Sequence, residues 1–208
     1  MLKGAFVFPH PPLILPHIGR GREREVQKTI DSCHECAKAI ARLKPDTVVL
    51  SSPHYSSGEA DHGTAVPLWF VDRYYKDYEL IRLGLSRLSY SEHFQVGKNI
   101  AEKMTDTGSV VYIASGDLSH VLKEDGPYGF APEGPVFDKK VIDILAGGNL
   151  KELLNIDPAL AENAAECGLR SFIIMAGFLD GAKITPKLHS YEDTFGVGYA
   201  VASFIVEQ

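Results

Sequence analysis

Apolar residues come in short runs, and several runs end in a polar tip that carries a histidine or a carboxylate. Gly4-Ala5-Phe6-Val7-Phe8 leads. Aromatic and β-branched residues fit a covered, pleated surface, so it predicts a short buried strand. Pro9 has no N–H for a sheet ladder and ends the pairing, and Pro11 confines His10 to extended backbone. Thr47-Val48-Val49-Leu50-Ser51-Ser52 predicts a central strand that hands over to Pro53-His54. Ser109-Val110-Val111-Tyr112-Ile113-Ala114 predicts a third, ending in Ser115-Gly116-Asp117-Leu118-Ser119-His120. Further strands are expected at 79–85, at 183–189 with Tyr191-Glu192 closing it, and from Tyr199 to Val206.

Between the strands the period changes. Val26, Ile30, Cys33, Ala37 and Ile40 fall at helical spacing and predict a helix over 23–43, stopped by Lys44-Pro45-Asp46. A short helix is expected over 65–71, one over 92–104 capped by Ser91, and others over 137–146 and 150–154. A long helix should start at Asp157-Pro158, with the aspartate as cap and the proline in the first turn, and run to Phe178. The Gly- and Pro-rich stretch 123–135 reads as a long loop, a length associated with functional loops. Strands alternating with helices predict one α/β domain over 1–208. Its central sheet would be mostly parallel or mixed, with helices on both faces and a site at the strand ends.

Net charge is −6, with no basic cluster. That argues against nucleic acid, whose binding needs clustered Lys and Arg. No apolar run approaches the ~20 residues of a membrane span, and the start of the chain reads as a strand rather than a signal peptide. A cytoplasmic protein is expected. The 3 cysteines make no disulfide framework. Cys33 and Cys36 form a Cys-x-x-Cys inside a helix with no second pair, and read as structural. Cys167, before Gly168, reads as a core residue.

His10, His54, the Asp117–His120 segment and Glu192 all stand at strand tips. If the tips share one edge, they converge. Two neutral imidazoles and one carboxylate on one face of a metal are the ligand set of non-haem Fe(II) oxygenases. The same set holds catalytic zinc. A further histidine outside the ligand set, His120 or His62, could move protons near working pH. His17 and His34 read as surface residues, His93 as solvated in a helix turn, and His189 as a neighbour of the site at best.

Together these motifs resemble the catalytic (B) subunit family of class III extradiol ring-cleavage dioxygenases. The resemblance rests on Phe8-Pro9-His10-Pro11-Pro12, Ser52-Pro53-His54, Asp61-His62-Gly63, Ser115-Gly116-Asp117-Leu118-Ser119-His120, and Tyr191-Glu192 with Phe195-Gly196-Val197-Gly198-Tyr199. Glu133-Gly134-Pro135-Val136-Phe137-Asp138 and Glu166-Cys167-Gly168-Leu169-Arg170-Ser171 make the chain more similar to the bacterial AmmeMemoRadiSam-system members and their Memo relatives. The resemblance implies that His10, His54 and Glu192 hold the metal, Fe(II) first with Zn or Cu as alternatives. It implies an acid–base role for His120, substrate positioning by His62, and a small aromatic diol and O2 as substrates. The Memo likeness implies an alternative: a metal-binding protein that opens no ring and works with a partner of that system. A homo-oligomer is a further expectation, though the sequence does not fix the oligomeric state. Between Tyr55 and Asp61 relatives carry a longer segment, so a family segment is expected to be missing at about 56–60.

Overall fold

The computed structural model describes residues 1–54 and 61–207. The short link at 56–60 therefore lies outside the described residues. Six strands form one mixed sheet: β1 (Leu2–Phe8), β2 (Thr47–Ser52), β3 (Glu79–Gly84), β4 (Val110–Ser115), β5 (Ile184–Glu192) and β6 (Tyr199–Val206). Their order across the sheet is β3-β2-β4-β1-β6-β5. β1 to β4 run parallel, and β6 is antiparallel to both of its neighbours. β5 therefore points the same way as β1. The carboxyl ends of β1, β2, β4 and β5 share one edge, as the α/β reading expects.

Strand side chains alternate between faces, and β1 shows what that does to the core. Ala5 and Val7 face a layer made by α4 (Tyr90–Lys103), α5 (Glu133–Gly147) and α7 (Leu169–Phe178). Phe6 and Phe8 face α2 (Gln27–Leu43) and α3 (His62–Val71). Both faces are dry, so β1, β2 and β4 are almost wholly buried, and their continuous apolar runs follow from that. Two short helices complete the fold: α1 (Pro16–Gly19) and α6 (Pro158–Asn163). α4 and α7 cross closely. A Cβ on Gly97 would run into the carbonyl of Ile174, and one on Gly177 into that of Phe94.

Several expectations are corrected. Ser89, not Ser91, caps α4, with Glu92 completing a capping box. His93 is buried rather than solvated, its Nδ1 3.0 Å from the Ser89 carbonyl. The helix expected from residue 23 begins as a 3-10 turn, Arg22–Val26. Residues 150–155 are also 3-10, and α5 begins at Glu133, ahead of the expected 137. Glu192 is the last residue of β5 rather than one beyond it. The long helix expected over 157–178 is two. α6 ends after Asn163, the chain turns through Ala165 at φ +52°, and α7 begins at Leu169. The break puts Glu166-Cys167-Gly168 at the sheet edge.

Asp138 of α5 is 1% exposed and ties that helix to the segment after β4 and to β5. It accepts the Ser119 N–H at 2.8 Å and the Tyr191 hydroxyl at 2.7 Å. Burial pushes its carboxyl up to about 7.

Two outcomes follow from this packing. Gly177→Ala should destabilise the fold by about 1–3 kcal/mol through overpacking at the helix crossing, read by urea denaturation. Between about pH 4 and about pH 7 the folded chain keeps a proton on Asp138 that the unfolded chain has released. That contribution to stability is therefore lost as pH rises through the window. Asp138→Asn should gain stability relative to the native chain between about pH 5 and about pH 8, measured by the same denaturation.

Candidate metal centre

β1 and β4 lie side by side, and their crossovers leave in opposite directions, to β2 and to β5. Such a switch point opens a crevice at the carboxyl ends of the strands. His10, His54, Asp117 and His120 stand there, and His62 enters from the first turn of α3. They line a cavity of about 700 Å3 whose other walls include Arg22, Lys123, Tyr128, Phe195 and Tyr199.

His10 is 2% exposed and held on three sides. Its backbone N–H donates to Asp117 Oδ1 at 2.9 Å, and its Nδ1 lies 2.9 Å from Ser115 Oγ. With Nδ1–H donating to that oxygen, Nε2 keeps its lone pair free. Nε2 lies 3.5 Å from Cys167 Sγ and 3.9 Å from Asp117 Oδ2. The His10 ring stands edge-on to His54 and His62, at 4.9 and 5.2 Å between centroids. His54 and His62 are 4.2 Å apart.

Ser52, at the end of β2, couples these two. Its Oγ accepts the His54 N–H at 3.1 Å and donates to Asp61 Oδ1 at 2.8 Å. Asp61 caps α3 by accepting the Thr64 N–H at 2.9 Å, which sets the direction of His62 at the first helical position.

Cys167, expected from the sequence to be a core residue, instead stands against His10. It reaches the site because the turn before α7 packs on the tip of β4. A Cβ on Gly116 would run into the Cα of Gly168, so only glycine allows the approach. The Asp117 carbonyl accepts the Gly168 N–H at 3.0 Å, and the Asp117 N–H points at Cys167 Sγ at 3.3 Å. The signal was the Cys-Gly pair itself, in a stretch otherwise apolar enough to pass for continuous helix.

Glu192 is held elsewhere. Its Oε2 accepts both the N–H and the hydroxyl of Thr29 on α2, each at 2.7 Å. It is at the right edge, but β6 separates its strand from β1, and strands are roughly 5 Å apart. The residues after it, Thr194, Phe195 and Val197, do line the cavity. His189 bonds Glu35 and Ser203, away from the centre. Cys33 and Cys36 are buried and unpaired in α2, where burial pushes both thiols up.

Desolvation sets the charge of His10 and His54. It lowers His10 to about 3, with His62 and His120 adding to the effect. It lowers His54 to about 4, with His10 and His62 adding. Both imidazoles are neutral at ordinary pH, the form that binds metal. Asp117 is pushed up to about 6, chiefly by burial and against the His10 N–H bond. Burial also raises the Cys167 thiol well above its usual range, and a bound cation would reverse that.

The donors form two groups whose ligand atoms lie within 4.8 Å of one another: His10, His54 and Cys167, and Asp117, His120 and Cys167. The donor set passes a simple fit test. Two ligands on a tetrahedral ion, nitrogen at ~2.1 Å and thiolate at ~2.3 Å, stand about 3.6 Å apart. His10 Nε2 and Cys167 Sγ are 3.5 Å apart.

Residues 4–60 and 56–202 match the family of the catalytic LigB subunit of aromatic ring-opening dioxygenase, and the chain belongs to that family. Protein CA_C1420 of Clostridium acetobutylicum is 32% identical over 265 residues, which take in 96% of this chain and 57% of that protein. The chain thus spans little more than half of its relative's length. The alignment is longer than the 208 residues of this chain. The relative therefore carries residues without a counterpart here, and the family match divides at 56–60. The crystal structure of uncharacterized protein JW3007 from Escherichia coli K12 shares the fold, with a TM-score of 0.60 at 12% identity over 97% of this chain and 99% of that one. No helix among the described residues is long and apolar enough to cross a membrane.

Ser115→Ala should weaken metal binding about 10- to 100-fold, because it frees the orientation of the His10 ring. Isothermal titration with zinc measures this, with circular dichroism unchanged.

Proposed function

We propose that the chain is a metal-dependent extradiol oxidoreductase that opens a catechol-type aromatic ring with dioxygen. The observation that carries this reading is the convergence of four histidines, His10, His54, His62 and His120, on one cavity. Its volume of about 700 Å3 suits a small aromatic ligand. Family membership supports the same chemistry.

His10, His54 and Cys167 would hold the ion, with Glu192 the alternative third donor. Iron(II) bound there would let a diol and dioxygen react, which neither does readily alone. The chain's own residues then bind, orient and move protons. His120 rests against Tyr128, ring centroids 5.2 Å apart, at the cavity wall. Among the described residues, its buried Nδ1 has no hydrogen-bond partner. It is the acid–base group, taking a proton from a catechol hydroxyl and returning it as the ring opens. His62, directed by the Asp61 cap, borders the substrate. Phe195 and Tyr199 bury the ring face and exclude water. The carbon–carbon bond beside the diol breaks, and both atoms of dioxygen enter the product.

Cys167 favours a second reading. Thiolate selects soft ions such as zinc and Cu(I). A centre built on it would suit a metal-binding protein that opens no ring and acts with a partner of the AmmeMemoRadiSam type.

Anaerobic reconstitution with Fe(II), followed by oxygen-electrode assays on a panel of catechols, separates the two. The first reading expects oxygen uptake and a ring-opened, yellow product. It also expects His120→Ala to lose uptake by about 100-fold or more while iron stays bound. Tight zinc or copper binding with no uptake on any catechol would support the second reading and refute the first.

A further inference from the structure

A second cavity, of about 420 Å3, opens between the link from β3 to α4 and the first turn of α7. Cys167, whose sulfur also reaches His10, is part of its wall. We propose that this cavity binds the phosphate group of a small phosphate monoester, held by Arg87 and Arg170 with help from Ser86. The proposal goes beyond the metal reading given above and does not depend on it.

Three observations carry it. The first is unspent positive charge. Arg87 and Arg170 come from separate elements and line the same cavity, where two cations repel each other. Among the described residues no carboxylate pairs with either guanidinium. Glu166, the acid in this wall, turns Oε2 to the Leu169 N–H at 2.6 Å instead. Arg170 is half-buried, its guanidinium 5.5 Å from the centre of the Tyr90 ring, a contact that steadies the group without neutralising it. The second is the number of donors. One guanidinium fork already serves both oxygens of a carboxylate. Two forks and the Ser86 hydroxyl exceed that and suit a tetrahedral group with three free oxygens. The hydroxyl is free to turn, since its contact within the fold is a long one, 3.4 Å to His93 Nε2. A phosphate monoester carries about −1.5 to −2 at neutral pH, which matches two guanidiniums. The third is the rest of the wall. Pro53 and Leu85 add apolar surface beside the arginines. Pockets for small organic ligands begin at about 300 Å3, so this cavity has room for an organic group esterified to the phosphate.

Occupancy has a local consequence. A ligand here lies against the residue that also touches His10. It covers Cys167 without entering the larger cavity that the four histidines line. Cys33 and Cys36 are buried, so Cys167 is the cysteine that reports on this second cavity.

The full chain, kept metal-free so that no ion competes for phosphate, is titrated by calorimetry with glycerol 3-phosphate and with inorganic phosphate. Low ionic strength keeps charge contacts unscreened. One ester per chain is expected, bound at least as tightly as inorganic phosphate. Arg87→Gln and Arg170→Gln should each weaken it about tenfold or more, and Ser86→Ala by less than that. Lys123→Gln, in the wall of the larger cavity, should leave the binding of the ester unchanged. Arg87 is exposed, so its variant gives the answer even where Arg170→Gln fails to fold. Labelling of Cys167 by iodoacetamide, followed by mass spectrometry, should slow when the ester is added. No binding of either probe at millimolar concentration overturns the proposal. Binding of inorganic phosphate alone overturns the monoester class. Binding that survives both arginine variants but falls in Lys123→Gln puts the anion in the larger cavity and overturns the site. Binding that leaves the labelling of Cys167 unslowed overturns it too.

Discussion

The site depends on one backbone-to-backbone contact. Gly116 at the tip of β4 touches Gly168 at the start of α7, and the Asp117 carbonyl accepts the Gly168 N–H. Neither position has room for a side chain. Because of that contact, Cys167 lies against His10 although the two are 157 residues apart. The same segment of β4 holds His10 from the other side, through Ser115 and Asp117. One strand tip thus orients an imidazole and a thiol toward a common point.

Charge follows from this arrangement. His10 is buried deeply enough to stay neutral well below the usual histidine range, and His54, though exposed, is lowered by partial desolvation together with its neighbours His10 and His62. The carboxyl of Asp117 is raised by the same burial. A pocket that disfavours isolated charge on its acids and bases is one that gains most from a cation, which supplies the missing partner for all of them. In the proposed metal centre, affinity and the tightness of the β4–α7 contact would therefore be linked. Loosening the contact frees the sulfur and rehydrates the imidazoles together.

Much of the fold was legible because burial on both faces leaves a strong trace. β1, β2 and β4 are continuous apolar runs that end at proline or glycine, and their tips were identified with them. Element ends were harder. Ser89 and Ser91 are equally good caps by type, and the choice between them was made by Glu92 reaching back to Ser89. The break between α6 and α7 left little trace, since Ala164 and Ala165 are good helix formers and only the positive φ of Ala165 ends the helix. Missing that break hid Cys167. Strand-tip reasoning singled out His10, His54, Asp117 and His120, which follow β1, β2 and, for the last two, β4, and which line one cavity. It also selected Glu192, which stands at the correct edge. Lateral order in the sheet is set by crossovers that local patterns do not encode. That order puts β6 between Glu192 and the histidines, where Thr29 binds its carboxylate.

The central claim is that the third donor beside His10 and His54 is the sulfur of Cys167. X-ray absorption at the metal edge of the iron- or zinc-loaded protein tests it most directly. The account predicts a sulfur scatterer at about 2.3 Å together with imidazole nitrogens, with the sulfur lost in Cys167→Ser and kept in Glu192→Gln. A shell of nitrogen and oxygen alone, unchanged by Cys167→Ser and altered by Glu192→Gln, would contradict it.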